Sequence, residues 1–505
     1  MSWRQIPVRS TCTLEIGLNM KLSFLNIVVM VVYFGVLLWM GYYFSRRQKG
    51  TDDYFRGGGR VPWWAAGLSL VGTGLSAITY MSVPAKSYFT DWSYFLLNFG
   101  TLWVVPIVVV LYVPCFRKMN LTSAYEFLEK RFNLALRLFG SSFFILFQLG
   151  RMAIVMFLPS LALSVVTGIN IYAAILVVGI VSLVYTFYGG VEAVVWTDVL
   201  QVFILMGGAI LILVIAIFRT DGGMSTLLSV GMADHKFQMI DPAFDLTKPS
   251  IWVILSTSIF TYLTMYTADQ SLVQRYFITK DEKDAVRGVW TNGWIALPTT
   301  LLFFLIGTAL YVFYQQNPAA MNSVVEKSND SLLPWFIISQ MPDGISGLLI
   351  VGIFAASMSS LSASMNSVAT AYTVDFHERL HFRLGLSSMA TARVVTLLSG
   401  TIGIGLALAM AIWNVQSLWD EYNRILGLII SGLGGLFFLG VATKRTNGPG
   451  AICGIVACVI VQFVLGYYQC VHLLLFSTTG FVSCVVIGYL SSFMFSTKGN
   501  SDVKK

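Results

Sequence analysis

The chain has 505 residues, of which 56% are hydrophobic and 11% charged, with a formal net charge of +8. Its mean hydropathy is +0.75. Soluble domains carry about 25% charged residues, so this composition excludes an ordinary soluble enzyme and a disordered protein. It points to a polytopic membrane protein.

A membrane span needs about 20 predominantly apolar residues. Thirteen such stretches follow one another, near 25–45, 62–85, 92–115, 138–167, 170–187, 198–218, 251–274, 288–314, 345–374, 391–413, 418–441, 449–467 and 471–494. In lipid the backbone has no water partner, so these stretches are predicted as helices; barrel strands would alternate in polarity, and these do not. The expected fold class is an all-α polytopic membrane protein of about 13 transmembrane helices, with no room for a large soluble domain. Residues 1–24 read as an exterior tail and 495–505 as a cytoplasmic one. The polar stretch 1–19 lacks the cleavage site of a signal peptide, and Met20 offers a second start.

Lys and Arg number 32 together. Most fall in the connections that lie inside if the N-terminus is placed outside, among them Arg46, Arg47, Arg117, Lys118, Arg275 and Arg379. The positive-inside rule then puts the C-terminus in the cytoplasm. The basic balance is therefore a topology signal, and no nucleic-acid partner is expected. The six cysteines show no metal or redox spacing. No phosphate-binding loop, HExxH or nucleophile elbow occurs. His377 and His381 suggest a solvated helix face, and Gly57, Gly58 and Gly59 a flexible hinge.

Function in a bilayer shows where polarity is tolerated despite its cost. In the second span Gly67, Gly72 and Gly74 cluster beside Thr73, Ser76 and Thr79, with Pro62 and Pro84 bracketing them. Glycine frees a helix to unwind, and an unwound stretch exposes carbonyls to a cation and helix ends to a substrate. Close packing through small residues is the alternative. The ninth span carries Ser359, Ser360, Ser362, Ser364, Asn366 and Ser367. These hydroxyls suit a small hard cation, and the lack of a carboxylate in the run favours a monovalent one; the alternative is a polar packing seam. Arg151 lies near the centre of the fourth span. It is either a bidentate clamp for a substrate carboxylate or the partner of an acid from another span. Asp198 opens the sixth span, as a helix N-terminal acid or as a cation ligand. Glu192 is expected to be solvated, and Asp269, near the inner end of the seventh span, to face the inner vestibule.

Taken together, SRRQKGTDDYFRGGGRVPWWAAGLSLVGTGLSAITYMSVPAKSY, LTSAYEFLEKRF, YGGVEAVVWTDVLQ, QSLVQRYF and FAASMSSLSASMNS resemble the sodium/solute symporter family, and within it the bacterial sodium/sialic acid symporters. The resemblance runs from about residue 25 to 445. It implies a LeuT-type core of two inverted five-helix repeats, at 62–218 and 251–441, preceded by an accessory span at 25–45 and followed by two spans at 449–494. It implies a central sodium at Gly72, Leu75, Ala356, Ser359 and Ser360. A second sodium would use Asp198, Ser359 and Ser362, but a further serine of that site is Ala363 here. It places a sialic acid carboxylate at Arg151 and the pocket at Thr73, Gly74, Ser76, Thr79, Tyr94 and Asn98. Gly74 and Asn98 stand where relatives carry threonine and glutamine. The expected protein is a sodium-coupled importer of sialic acid (N-acetylneuraminate) or a related acid sugar. It would act as a monomer in the lipid bilayer of a bacterial inner membrane. A neutral sugar, an amino acid or a monocarboxylate is the alternative cargo.

Overall fold

The computed structural model describes residues 22–321, 325, 329–381, 387–413, 430–468 and 470–495. Among them no strand forms beyond an isolated bridge between Val61 and Thr279. Among the described residues nine helices are long and apolar enough to cross a membrane, or ten if one sharply bent pair counts as a span. The first half of the eleventh predicted span, 418–441, lies outside the described residues.

The first helix, α1 (Phe24–Ser45), is apolar all round and only 22% of its hydropathic window is buried, so it sits at the periphery. The second predicted span is two helices, α2 (Trp63–Gly74) and α3 (Ala77–Phe89), bent by 61°. The chain is extended at Leu75 (ψ 93°) and Ser76 (ψ 166°), and the Ser76 hydroxyl accepts from the Thr79 amide to start α3, as an N-cap serine does. Helix α4 (Ser93–Lys118) follows, then the short α5 (Glu126–Arg131) and α6 (Leu134–Thr167).

Helix α7 (Ile171–Phe218) has 48 residues, about 72 Å of rise, well over twice the ~30 Å hydrocarbon core. It changes direction at Gly190 (φ 57°, ψ −159°), a conformation closed to other residues. A Cβ there would also meet the Tyr54 carbonyl at 3.1 Å. The kink falls between the predicted fifth and sixth spans. Asp198 is therefore two turns inside the second arm and fully buried, so it is not a helix-terminal acid.

The predicted seventh span is also interrupted. Helix α8 (Ile251–Ala268) stops at Asp269, extended at ψ 106°, and α9 (Gln270–Phe277) starts from it with the Asp269 carboxylate accepting from the Ser271 amide. The seventh span was expected to run unbroken. An aspartate that caps a new helix ends the old one without any glycine. Besides two short helices at Gly223–Ala233 and Leu332–Gln340, the longer ones are α10 (Glu282–Gln316), α11 (Ile345–Glu378), α12 (Ser388–Trp413), α13 (Ser431–Ala442), α14 (Gly448–Tyr468) and α15 (Leu475–Ser491).

Helix α11 is the axis of the molecule: 89% of its window is buried, and it packs along α7, α6 and α12. All of its serines named above are buried, facing protein and not lipid. Three local expectations change in the connections. Glu192 is buried, in ion pairs with Arg47 (3.8 Å) and Arg60 (3.4 Å). Gly57–Gly59 form a short helical turn, with Arg60 paired to Asp53 at 2.8 Å. His377 is buried while His381 is exposed, so the two do not share a solvated face.

Candidate functional site

The site is built where the two breaks meet α11. On the α2 side, Gly72 lies against α7 and α11: a Cβ added there would stand 3.0 Å from the Ser359 hydroxyl and 3.1 Å from Val202. Because α2 ends at Gly74, its last-turn carbonyls lack the donors a continuing helix would give. Facing them, Ser360 is buried and its hydroxyl has no hydrogen-bond partner. An orphaned buried hydroxyl is costly to leave unmet. Gly72, Leu75, Ala356, Ser359 and Ser360 are thus drawn from the broken end of α2 and the middle of α11. Gly72 and Ser359 are in direct approach.

Beside them, Asp198 is already well provided for. Ser359 donates to one carboxylate oxygen at 2.6 Å, Ser69 to the other at 2.5 Å, and the buried Arg275 approaches the latter at 3.4 Å. Ser362 donates to the Ser359 carbonyl. Sequence reasoning placed Arg275 in an inner connection; it lies in α9, fully buried. Its position in QSLVQRYF, six residues after the break, was the signal available.

Arg151, in α6, is 3% exposed. Its Nη2 donates to the Thr73 carbonyl at 2.8 Å, at the first break. Its Nη1 lies 3.6 Å from Asp269, at the second. Its Nε has no partner. Asp269 also accepts from Gln148 at 3.1 Å and from the Ser271 hydroxyl at 2.6 Å. Gln148 in turn accepts from Ser364, whose hydroxyl is shared with the Ser360 carbonyl. One guanidinium therefore bridges both breaks, and an amide ties that bridge to the serine helix. Asp269 is buried at the break and does not face an inner vestibule.

A cavity of about 580 Å³ opens from the first break. Gly74, Leu75, Ser76, Thr79, Tyr94 and Asn98 line it. Thr73 and Arg151 do not line it, and they are bonded to each other through the Thr73 carbonyl. The opposite wall comes from α8 and α10, through Thr261, Tyr262, Asn292 and Thr300. Tyr262 donates to Asn98 at 2.5 Å and Asn292 to the Tyr266 hydroxyl at 2.6 Å. This wall was missed. Its signal was polar residues at helical spacing, Asn292, Thr299 and Thr300, in an otherwise apolar span. Among the described residues no group of three His, Cys, Asp or Glu side chains could hold a metal.

The model of the sodium:solute symporter family matches residues 54–458. The chain belongs to that family. It is 38% identical to the sodium/sialic acid symporter NanT of Aliivibrio fischeri over 480 residues, 95% of each chain. It is 39% identical to the sodium/sialic acid symporter SiaT of Proteus mirabilis over 479 residues, 94% of this chain and 96% of that one. A solved sodium-coupled sialic acid symporter, in a substrate-bound outward-open state with a novel sodium site, superposes with a TM-score of 0.88 at 37% identity, over 94% of this chain and 98% of that one. Mhp1, a nucleobase-cation symporter, shares the fold alone, with a TM-score of 0.59 at 13% identity over 89% of this chain and 97% of that one. These relatives are transporters and not enzymes, and the protein is a multi-pass membrane protein of the same architecture.

Proposed function

We propose that the protein is a sodium-coupled symporter importing sialic acid or a related carboxylated sugar across a bacterial inner membrane. Sodium binds at the broken end of α2, using carbonyls of Gly72, Leu75 and Ala356 with the hydroxyls of Ser359 and Ser360. The acid sugar enters the cavity, and its carboxylate takes Arg151 in place of the loose contact with Asp269. Ser76, Thr79 and Asn98 meet its polar groups and Gly74 shapes the floor, while Thr73 holds Arg151 through its carbonyl off the wall and Tyr94 stands further along the wall beside Lys86. The observation that carries this reading is a buried guanidinium with an unpartnered Nε, bonded to the helix break from which a hydroxyl-lined cavity opens. The relatives that transport sialic acid support the choice of cargo.

One sodium accompanies each substrate. The second set, Asp198, Ser359 and Ser362, is already satisfied by Arg275 and Ser69, and Ala363 supplies no oxygen. One sodium with one monoanion moves no net charge, so voltage, worth about 2.3 kcal/mol per charge per 100 mV, would not drive the cycle directly. The core is read as two inverted five-helix repeats, each opening on a broken helix, within thirteen crossings. The N-terminus is outside, the C-terminus cytoplasmic, and the monomer is the working unit.

Uptake of labelled N-acetylneuraminate into proteoliposomes tests the reading. An inward sodium gradient should drive accumulation, and equal uptake in potassium would sink it. Under voltage clamp no substrate-evoked current is expected; a sustained inward current would refute the single-sodium assignment. The alternative cargo, a neutral sugar or a small monocarboxylate, is rejected if neither competes for uptake.

A further inference from the structure

The cavity runs from the first break, where Arg151 is bonded to the Thr73 carbonyl off the wall, to Lys86 on the wall at its other end. One face of α3 forms its wall from Ser76 at the break to Lys86 and Phe89 at the far end. At ~1.5 Å per residue, the helix between Ser76 and Lys86 rises about 15 Å. Arg151 does not line the cavity and is tied to the break through the Thr73 carbonyl. A single carboxylate cannot reach both cations at once. Lys86 is the one Lys, Arg or His among the residues that line the cavity.

The surroundings of Lys86 have the chemistry of a sugar-acid site. Its ammonium stands over the Tyr94 ring, 4.8 Å from the centroid. Asp330, the one acid on the wall, is held in place by a 2.7 Å hydrogen bond from Ser82, one turn before Lys86. Tyr94 packs beside Val253, Leu474 and Leu475. One turn on from Val253 stands Thr257, on the wall, 3% exposed, its hydroxyl without a partner. An ammonium suits a carboxylate, a fixed carboxylate and an orphaned hydroxyl suit sugar hydroxyls, and an aromatic ring suits the apolar face of a sugar.

We propose that Lys86, Tyr94, Asp330 and Thr257 form a second, outer subsite for hydroxylated carboxylic acids, which holds the substrate before it passes to the break. The subsite rests on the transport reading above and refines it. It contains none of the sodium-binding oxygens, so its binding is independent of sodium. Its cation lies in an open cavity, so binding weakens as salt screens it.

The test is equilibrium binding of labelled N-acetylneuraminate to the full-length protein in lipid nanodiscs, with sodium or potassium. The unmodified protein should bind in two phases, the tighter one requiring sodium. Arg151→Ala should lose the sodium-dependent phase and keep the weaker, sodium-independent one. Adding Lys86→Met should remove that phase, and Lys86→Arg should retain it. In uptake, Lys86→Met should raise KM three- to tenfold and leave kcat within twofold. A single phase in the unmodified protein, or sodium-independent binding that survives Lys86→Met, overturns the subsite alone. No binding of this acid in any condition overturns the transport reading and the subsite with it. Lys86→Arg reports on folding, because it keeps the charge and the length of the side chain.

Discussion

The two broken helices do the same geometric job with different chemistry. The first break, at Leu75 and Ser76, comes after a glycine-rich turn, carries no charge and opens on the cavity. The second, at Asp269, carries a carboxylate, is buried, and caps α9 with its own side chain. Arg151 joins them, with a firm bond to Thr73 at the first and a looser contact to Asp269 at the second. A neutral break can offer carbonyls to a cation, whereas an acidic one can hold a guanidinium until a substrate acid replaces it. On the proposed reading the longer contact, 3.6 Å against 2.8 Å, is the one that gives way.

The strongest way to break this comparison is to separate the two roles of Arg151. Arg151→Ala should lower sialic acid uptake, as kcat/KM, at least a hundredfold, about 2.7 kcal/mol at ~1.4 per tenfold. That loss alone is ambiguous, since removing one partner of a buried pair leaves an uncompensated charge. The double variant Arg151→Ala with Asp269→Asn removes the charge as well. If Arg151 binds substrate, uptake stays lost while the melting temperature recovers. Recovery of uptake in the double variant would show that the arginine serves only to neutralise Asp269.

The next test bears on the first break alone. Ser360→Ala should raise the sodium concentration for half-maximal uptake about tenfold, as expected for one lost ligand worth about 1–1.5 kcal/mol. Gly72→Ala should do likewise by a different route. Its new Cβ would sit 3.0 Å from Ser359 and 3.1 Å from Val202, pushing α2 from α11 at an overpacking cost of about 1–3 kcal/mol. Both should leave sodium-free binding at the outer subsite unchanged. A sodium requirement unaltered in both variants would remove the sodium assignment at this break.

Legibility in the sequence follows the same divide. The first break was readable because Gly67, Gly72 and Gly74 gather in one apolar stretch together with Thr73, Ser76 and Thr79 and between Pro62 and Pro84, which close packing alone explains less well. The second was not, because an aspartate near the end of a span looks the same whether it faces water or caps a buried helix. The serine run of α11 was readable from its density, since six polar side chains exceed what one helix can bond to itself. Arg275 and Glu192 were misplaced for one reason. Charged residues beside a span are read as solvated, and only the packing of distant segments reveals that Asp198 and Arg60 reach them. Lys86 carried no signal at all until α3 was seen to line a cavity on one face.

A region away from both breaks gives the smallest effect and a control for them. Outside the spans Glu129, in α5, accepts from Arg379 at 2.8 Å and from Arg137 at 2.7 Å, and Arg137 reaches on to Asp375 in α11. The hydrogen bond from Arg379 is the largest of the influences that hold the Glu129 carboxyl below its ordinary value of 4.5. A carboxyl lowered on folding stabilises the protein fully above that ordinary value, and the contribution fades as pH falls through the lowered one. Stability from this cluster should therefore be flat from pH 8 to about 5 and decline below it. Its pairs are partly exposed, with Glu129 at 20% and Arg379 at 44%, so the effect is small, about 0.5–1 kcal/mol. Glu129→Gln should lower the melting temperature by about 1–2 °C at pH 7, with the difference from the unmodified protein closing towards pH 4. A deficit that persists undiminished at pH 4 would show that the glutamate contributes through packing and not through its charge.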